Sequence, residues 1–209
     1  FRDWGGAEFD AATGLGNLIL LIVVAAISFS FRLSCQKIYG LVEAHKVEFR
    51  VWWLGMLLAL VIAFVSRGYI PLVLLGVATV GFMVRQRLGE FRYGFSYWVN
   101  GVISYWGVMG SLILAILFAI GAFFYPESYF FTKGVSLNLI MAACSLIPIP
   151  QLEGLNIFFG SRKLYFFGIF LVLLAFVLLW LTRTAFGLIF AIIAGIVYAA
   201  VYLAIGSEK

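Results

Sequence analysis

Charge is what this sequence has least of. Asp, Glu, Lys and Arg make up 11% of its 209 residues, against about 25% in a soluble domain. With 65% hydrophobic residues and a mean hydropathy of +1.12, no water-soluble fold can hide the apolar surface, and a separate soluble domain is excluded. Cysteine is scarce too. Cys35 and Cys144 are too few for a disulfide scaffold, and no C-x-x-C pair occurs. The single histidine, His45, lies three residues before Glu48, the reversed spacing of an inward-facing Glu/His metal pair; its plainer reading is a loop histidine among solvated charges. No fixed-period repeat, low-complexity tract or heptad pattern is present.

What remains is a series of apolar runs at about 14–31, 51–66, 70–84, 97–124, 135–159, 164–181 and 185–205. One crossing of the hydrocarbon takes about 20 apolar residues, so the runs predict an all-α integral membrane protein. We expect a polytopic bundle of about six to seven transmembrane helices, forming a single domain over 14–206. An extracytoplasmic segment, 1–13, precedes it and a short tail, 207–209, follows. The pair 51–66 and 70–84 is separated only by Arg67, Gly68 and Tyr69, with Pro71 after, so a tight or re-entrant hairpin is the alternative there. The chain starts at Phe1 rather than Met, which leaves open a missing start segment or a removed signal.

The net charge of +5 and a pI near 9.3 report topology rather than nucleic-acid binding. With the amino terminus outside, the inside segments hold ten cations: Arg32, Lys37, Lys46, Arg50, Arg85, Arg87, Arg92, Arg162, Lys163 and Lys209. The outside segments hold four: Arg2, Arg67, Lys133 and Arg183. That asymmetry predicts a cytoplasmic carboxyl terminus in the cell membrane, and the acidic start with Asp3, Glu8 and Asp10 agrees. Arg85, Arg87 and Arg92, broken by Glu90, read as a cytoplasmic loop, with an anionic-lipid site as the sharper reading. Trp52, Trp53, Trp98 and Trp180 sit near run ends as expected of interfacial anchors. In the last run Gly187, Ala191, Gly195 and Ala199 recur every four residues, a smooth stripe for close helix packing within the bundle or against a partner.

Ionisable residues inside apolar runs are costly, so they mark where function is to be sought. Glu153 is the clearest, in Cys144-Ser145-Leu146-Ile147-Pro148-Ile149-Pro150-Gln151-Leu152-Glu153-Gly154. Pro148 and Pro150 cannot continue an ordinary helix, so the span is expected to unwind there. Unwound backbone at membrane depth survives only against protein or a water-filled cavity. Glu153 would then cap the broken helix, pair with an arginine such as Arg32, hold a metal, or handle protons or ions.

This segment resembles the Asn-Leu-Leu-Pro-Ile-Pro-Pro-Leu-Asp-Gly stretch of the site-2 protease family, intramembrane zinc metalloproteases whose Asp there is the third metal ligand. Val47-Glu48-Phe49-Arg50-Val51-Trp52-Trp53-Leu54-Gly55 is similar to the segment after the zinc helix in archaeal-type members. Gly101-Val102-Ile103-Ser104 with Gly107 resembles the family's Gly-x-Ile-Ser-x-x-Gly stretch. The resemblance spans about 28–175 and implies a site-2-protease-like core. It also places Phe31-Arg32-Leu33-Ser34-Cys35 at the family's His-Glu-x-x-His, Ser145 at its Asn and Glu153 at its Asp. Phe31 cannot ligate a metal, and Arg32 can neither act as a base nor tolerate a neighbouring dication. Cys35 and Glu153 alone do not make a zinc site. The resemblance therefore implies a pseudoprotease with degenerate positions Phe31, Arg32, Cys35, Ser145 and Glu153, no catalytic residue, no metal and no cofactor. Its expected partners are the lipid bilayer and other transmembrane proteins, not nucleic acid. A protease with an atypical metal site at Cys35 and Glu153, and a transporter or channel component, are the competing readings.

Overall fold

A computed structural model of the chain describes residues 11–82 and 96–178. Its elements, in order, are α1 (Ala11–Val42), β1 (His45–Val51), α2 (Trp53–Val65), β2 (Gly76–Phe82), α3 (Tyr97–Phe124), α4 (Tyr129–Ser145), α5 (Glu153–Gly160) and α6 (Arg162–Phe176). The molecule is mostly helical. Among the described residues, α1 and α3 are the two helices long and apolar enough to cross a membrane. The expectation of six to seven such helices is not met within these bounds, and the all-α assignment is corrected by a two-stranded antiparallel sheet. The run 70–84 gives strand β2, paired with β1 from His45 opposite Phe82 to Val51 opposite Gly76. Its physical reason is composition: Val77, Val80 and Thr79 are β-branched, and a short apolar run has the same hydropathy as strand or as helix. The last run, with Trp180 and the Gly187, Ala191, Gly195 and Ala199 stripe, lies outside the described residues. So do the Arg85, Arg87, Glu90 and Arg92 cluster and both chain ends.

Glycines fix how the rods meet. On α3, Gly101 lies against the Cα of Gly160 at the end of α5, and at the other end Gly121 lies against the ring of Phe131 on α4. The path from α4 through α5 thus runs antiparallel to α3 along most of its length. Gly107 and Gly110 of α3 abut Gln36 and Cys35 of α1, while Val24 packs with Leu114 and Phe118, so α1 is antiparallel to α3 as well. The core of this bundle is Tyr105, Val108, Leu112 and Ala115 with Leu139, Ala142, Leu146 and Ile157.

Along α1, polarity is inverted relative to a helix of a soluble bundle. In α1 the buried positions Val24, Ser28, Arg32, Gln36 and Gly40 recur every four residues, the spacing of one helix face. Leu15, Ile19, Ile22, Val23, Ile27 and Leu41 meanwhile point outward. Hydrocarbon outside and polar side chains inside is the arrangement a lipid solvent favours. α1 also runs ten residues past Arg32, so Arg32 and Lys37 are helical rather than loop cations. Arg32 is held inside by a buried partner, Glu153.

Candidate functional site

Three elements converge on one carboxylate. α4 ends at Ser145, where Ile147 and Leu146 turn back onto the Cys144 and Ala143 carbonyls. Pro148 and Pro150 supply no N–H to prolong it. The chain then re-enters helix at Glu153, the first residue of α5, after an extended Leu152. A Cβ on Gly154 would overlap the Leu146 carbonyl, so glycine there lets the start of α5 lie directly on the end of α4. The expected break at Pro148, Pro150 and Gly154 is thus present, and it presents Glu153 to the interior at 1% exposure.

Arg32 Nη2 donates to Glu153 Oε2 at 2.5 Å, and Gln36 Nε2 donates to Glu153 Oε1 at 2.6 Å. Arg32 Nη1 also reaches Ser111 Oγ and the Met141 carbonyl, each at 3.4 Å. Ser145 donates to that same carbonyl at 2.5 Å. Arg32 and Gln36 are one helical turn apart on α1, so both project onto one acid. Gly107 of α3 makes the room, since a Cβ there would overlap Gln36 Nε2 and stand 2.7 Å from Glu153 Oε2. A guanidinium stays protonated in a protein, and its charge offsets the cost of a buried carboxylate only because further hydrogen bonds complete the shell. Gln36 Oε1 is left without a hydrogen-bond partner.

A second polar contact lies one turn further along the same α1 face. Asn138 Nδ2 of α4 donates to Ser28 Oγ at 2.9 Å and to the Gly134 carbonyl at 2.8 Å. Beside the ion pair, a cavity of about 10 Å³ is lined by Phe29, Arg32, Phe49, Met141, Ser145 and Leu152, room for about one water.

No family profile, curated protein or solved structure matches this chain.

Of the positions singled out in the sequence, the structure brings together Arg32, Ser145 and Glu153. It leaves two out. Phe31 packs beside Val24, Leu114 and Phe118, and Cys35 faces the backbone of α3 at Gly110. The residues of α1 that face Glu153 are Arg32 and Gln36, one position later than the Phe31 and Cys35 frame. Both Glu153 oxygens are engaged by Arg32 and Gln36, and Cys35 is not among their partners. Among the described residues no three His, Cys, Asp or Glu side chains converge. His45 is buried at the start of β1, with Nδ1 2.7 Å from the Glu43 carbonyl, rather than in a solvated loop. Glu48 forms an exposed pair with Lys46. Gln36, Ser111 and Asn138 were missed; Ser28, Arg32 and Gln36 at four-residue spacing were the available signal.

Proposed function

We propose that this chain is an integral membrane protein with a site-2-protease-like core in which an arginine replaces the metal, and that it serves as a non-catalytic interaction subunit of a membrane complex. The observation that carries this reading is the Arg32–Glu153 ion pair with Gln36 beside it. The resemblance relates two segments 121 residues apart, and they meet at their most polar residues. In the register Arg32-Leu33-Ser34-Cys35-Gln36, the two ligand positions of His-Glu-x-x-His fall on Arg32 and Gln36, and its glutamate falls on Leu33. A cation then stands where a metal would, and the position of the general base is apolar, so zinc-activated water has neither its metal nor its proton acceptor.

The crossings in this reading are α1, α3, the broken α4–α5 path, α6 and a further span in the last apolar run. Lys37, Lys46, Arg162 and Lys163 gather at the end of the bundle where Gly101 meets Gly160, and Lys133 lies at the other. With Arg32 counted as buried, the cation split remains nine to four, which supports an outside amino terminus and a cytoplasmic carboxyl terminus. The partner face is the Gly187, Ala191, Gly195 and Ala199 stripe.

The test restores what the site lost. Arg32→His with Gln36→His sets two imidazoles one turn apart facing Glu153, and such a set with an open fourth position suits zinc. The double variant, purified without chelator, is expected to retain about one equivalent of zinc, which a structural or catalytic site of three ligands binds tightly; a further Glu153→Ala removes it. A folded double variant that holds no zinc sinks the metalloprotease ancestry of the site. Native chain that holds stoichiometric zinc, lost in Glu153→Ala, sinks the non-catalytic reading.

A further inference from the structure

α2 stands apart from the bundle. It runs 13 residues from Trp53 to Val65, about 20 Å at 1.5 Å per residue, short of the ~30 Å hydrocarbon thickness. It closes in a left-handed turn, with φ 52° at Arg67 and 79° at Gly68. There the Gly68 and Arg67 amides donate to the Ala63 and Phe64 carbonyls, a Schellman arrangement. After a bend at Tyr69 and Ile70, five residues without regular structure, 71–75, return toward the base, where Trp52 N–H donates to the Leu75 carbonyl at 2.9 Å.

The two sides of α2 differ. Gly55, Ala59, Ile62 and Ser66 form its less exposed stripe, and Ala59 packs with Leu72 onto the Leu74, Cys144 and Leu152 cluster. At 100° per residue the remaining positions cover an arc of about 200°. That arc is wholly apolar: Trp53 is 75% exposed, Leu54 70%, Leu57 62%, Phe64 61% and Val65 81%. A packed protein partner needs a stripe of about 100°, and a helix lying at the interface needs a polar face. α2 has neither limit. Its exposed polar group, Arg67, sits at the tip beside Tyr69.

Depth follows from the sheet. β1 starts beside Gly40 near the end of α1, and by Phe49 it is level with Phe29, the two rings 4.9 Å apart. Phe29 is 13 residues above Val42, about 20 Å along the helix. The base of the α2 hairpin therefore starts near mid-bilayer, from which a 20 Å helix reaches a headgroup layer. Non-helical backbone at that depth must be covered, and the small stripe of α2 covers the strap.

Resting on the proposed membrane-spanning reading, we infer that α2 and its return strap form a lipid-inserted hairpin: acyl chains occupy the apolar arc of α2, and the Arg67–Tyr69 tip binds headgroup phosphates. The test places single nitroxide labels at Leu54, Leu57, Leu58, Leu60, Val61, Phe64 and Val65, in a Cys35→Ala, Cys144→Ala chain reconstituted in dioleoylphosphatidylcholine vesicles. Oxygen access is expected to exceed access by a water-soluble nickel complex at every position of the arc, and the ratio is expected to fall several-fold from Leu57 to Val65. Protection of one face with helical periodicity means a protein partner, spin–spin broadening means a second copy, and nickel access along the arc means water; each overturns the inference. Because the cysteine background can itself perturb folding, a benzophenone amino acid at Leu60 in the unaltered chain provides a second readout. It is expected to crosslink to phosphatidylcholine, and crosslinking to protein overturns the inference.

Discussion

Removing the Glu153 carboxylate leaves a guanidinium buried with only a serine hydroxyl and one carbonyl as acceptors. Breaking one side of a buried pair costs about 3–5 kcal/mol, whereas replacing both sides with apolar groups is often neutral or stabilising. Glu153→Ala is therefore expected to lower the unfolding free energy in detergent by about that amount, and Arg32→Met with Glu153→Leu to recover most of it. Equal losses in the single and double variants would mean that the pair is not coupled. Gly107→Ala tests the same spot from α3. The added methyl overlaps the Gln36 amide, and overpacking of this kind costs about 1–3 kcal/mol. If that variant is as stable as the parent, α1 and α3 are further apart than described. The candidate acid was legible because a carboxylate inside an apolar run stands out by cost alone. Its partner Arg32 was legible as an arginine to pair with it, but Gln36 was not: placing a five-residue motif by likeness is uncertain by one position, and one position turns a helix by 100°, exchanging Gln36 for Cys35.

The helix break shows which glycines the elements depend on. A Cβ at Gly154 runs into the Leu146 backbone carbonyl, which cannot swing aside, whereas one at Gly16 of α1 meets nothing within 4 Å. Gly154→Ala is expected to destabilise the fold by more than 1 kcal/mol through displacement of α5, while Gly16→Ala gains about 0.5–1 kcal/mol of helix propensity. Thermal unfolding of the two variants side by side checks the contrast, and similar shifts would contradict it. At this scale the sequence was readable where a run carries its own punctuation. α3 matches the run 97–124 end to end, and the two prolines mark the end of α4. It misled where hydropathy alone spoke, because the stretch that forms the strap and β2 is as apolar as a helix, and only pairing with β1 decides its conformation.

For the whole molecule, the governing observation is that α1 turns its polar groups inward and its leucines outward, and that α3 buries Ser104 and Ser111 beside its apolar core, an arrangement that a bilayer solvent favours. Antiparallel contacts then set sidedness without reference to charge. Gly160 touches Gly101, so Lys163 lies at the Tyr97 end of the bundle; Phe131 touches Gly121, so Lys133 lies at the Phe124 end. β1 begins beside Gly40, which puts Lys46 at the same end as Lys163. A membrane-impermeant maleimide applied to sealed vesicles should therefore modify Lys46→Cys and Lys163→Cys from one side and Lys133→Cys from the other. In the proposed orientation the side of Lys46 and Lys163 is the cytoplasmic one. Labelling of Lys133→Cys and Lys163→Cys from the same side would mean that the broken α4–α5 path does not cross. Glu153 would then lie in a loop excursion rather than within the bilayer, and a buried guanidinium would no longer be needed there to balance it.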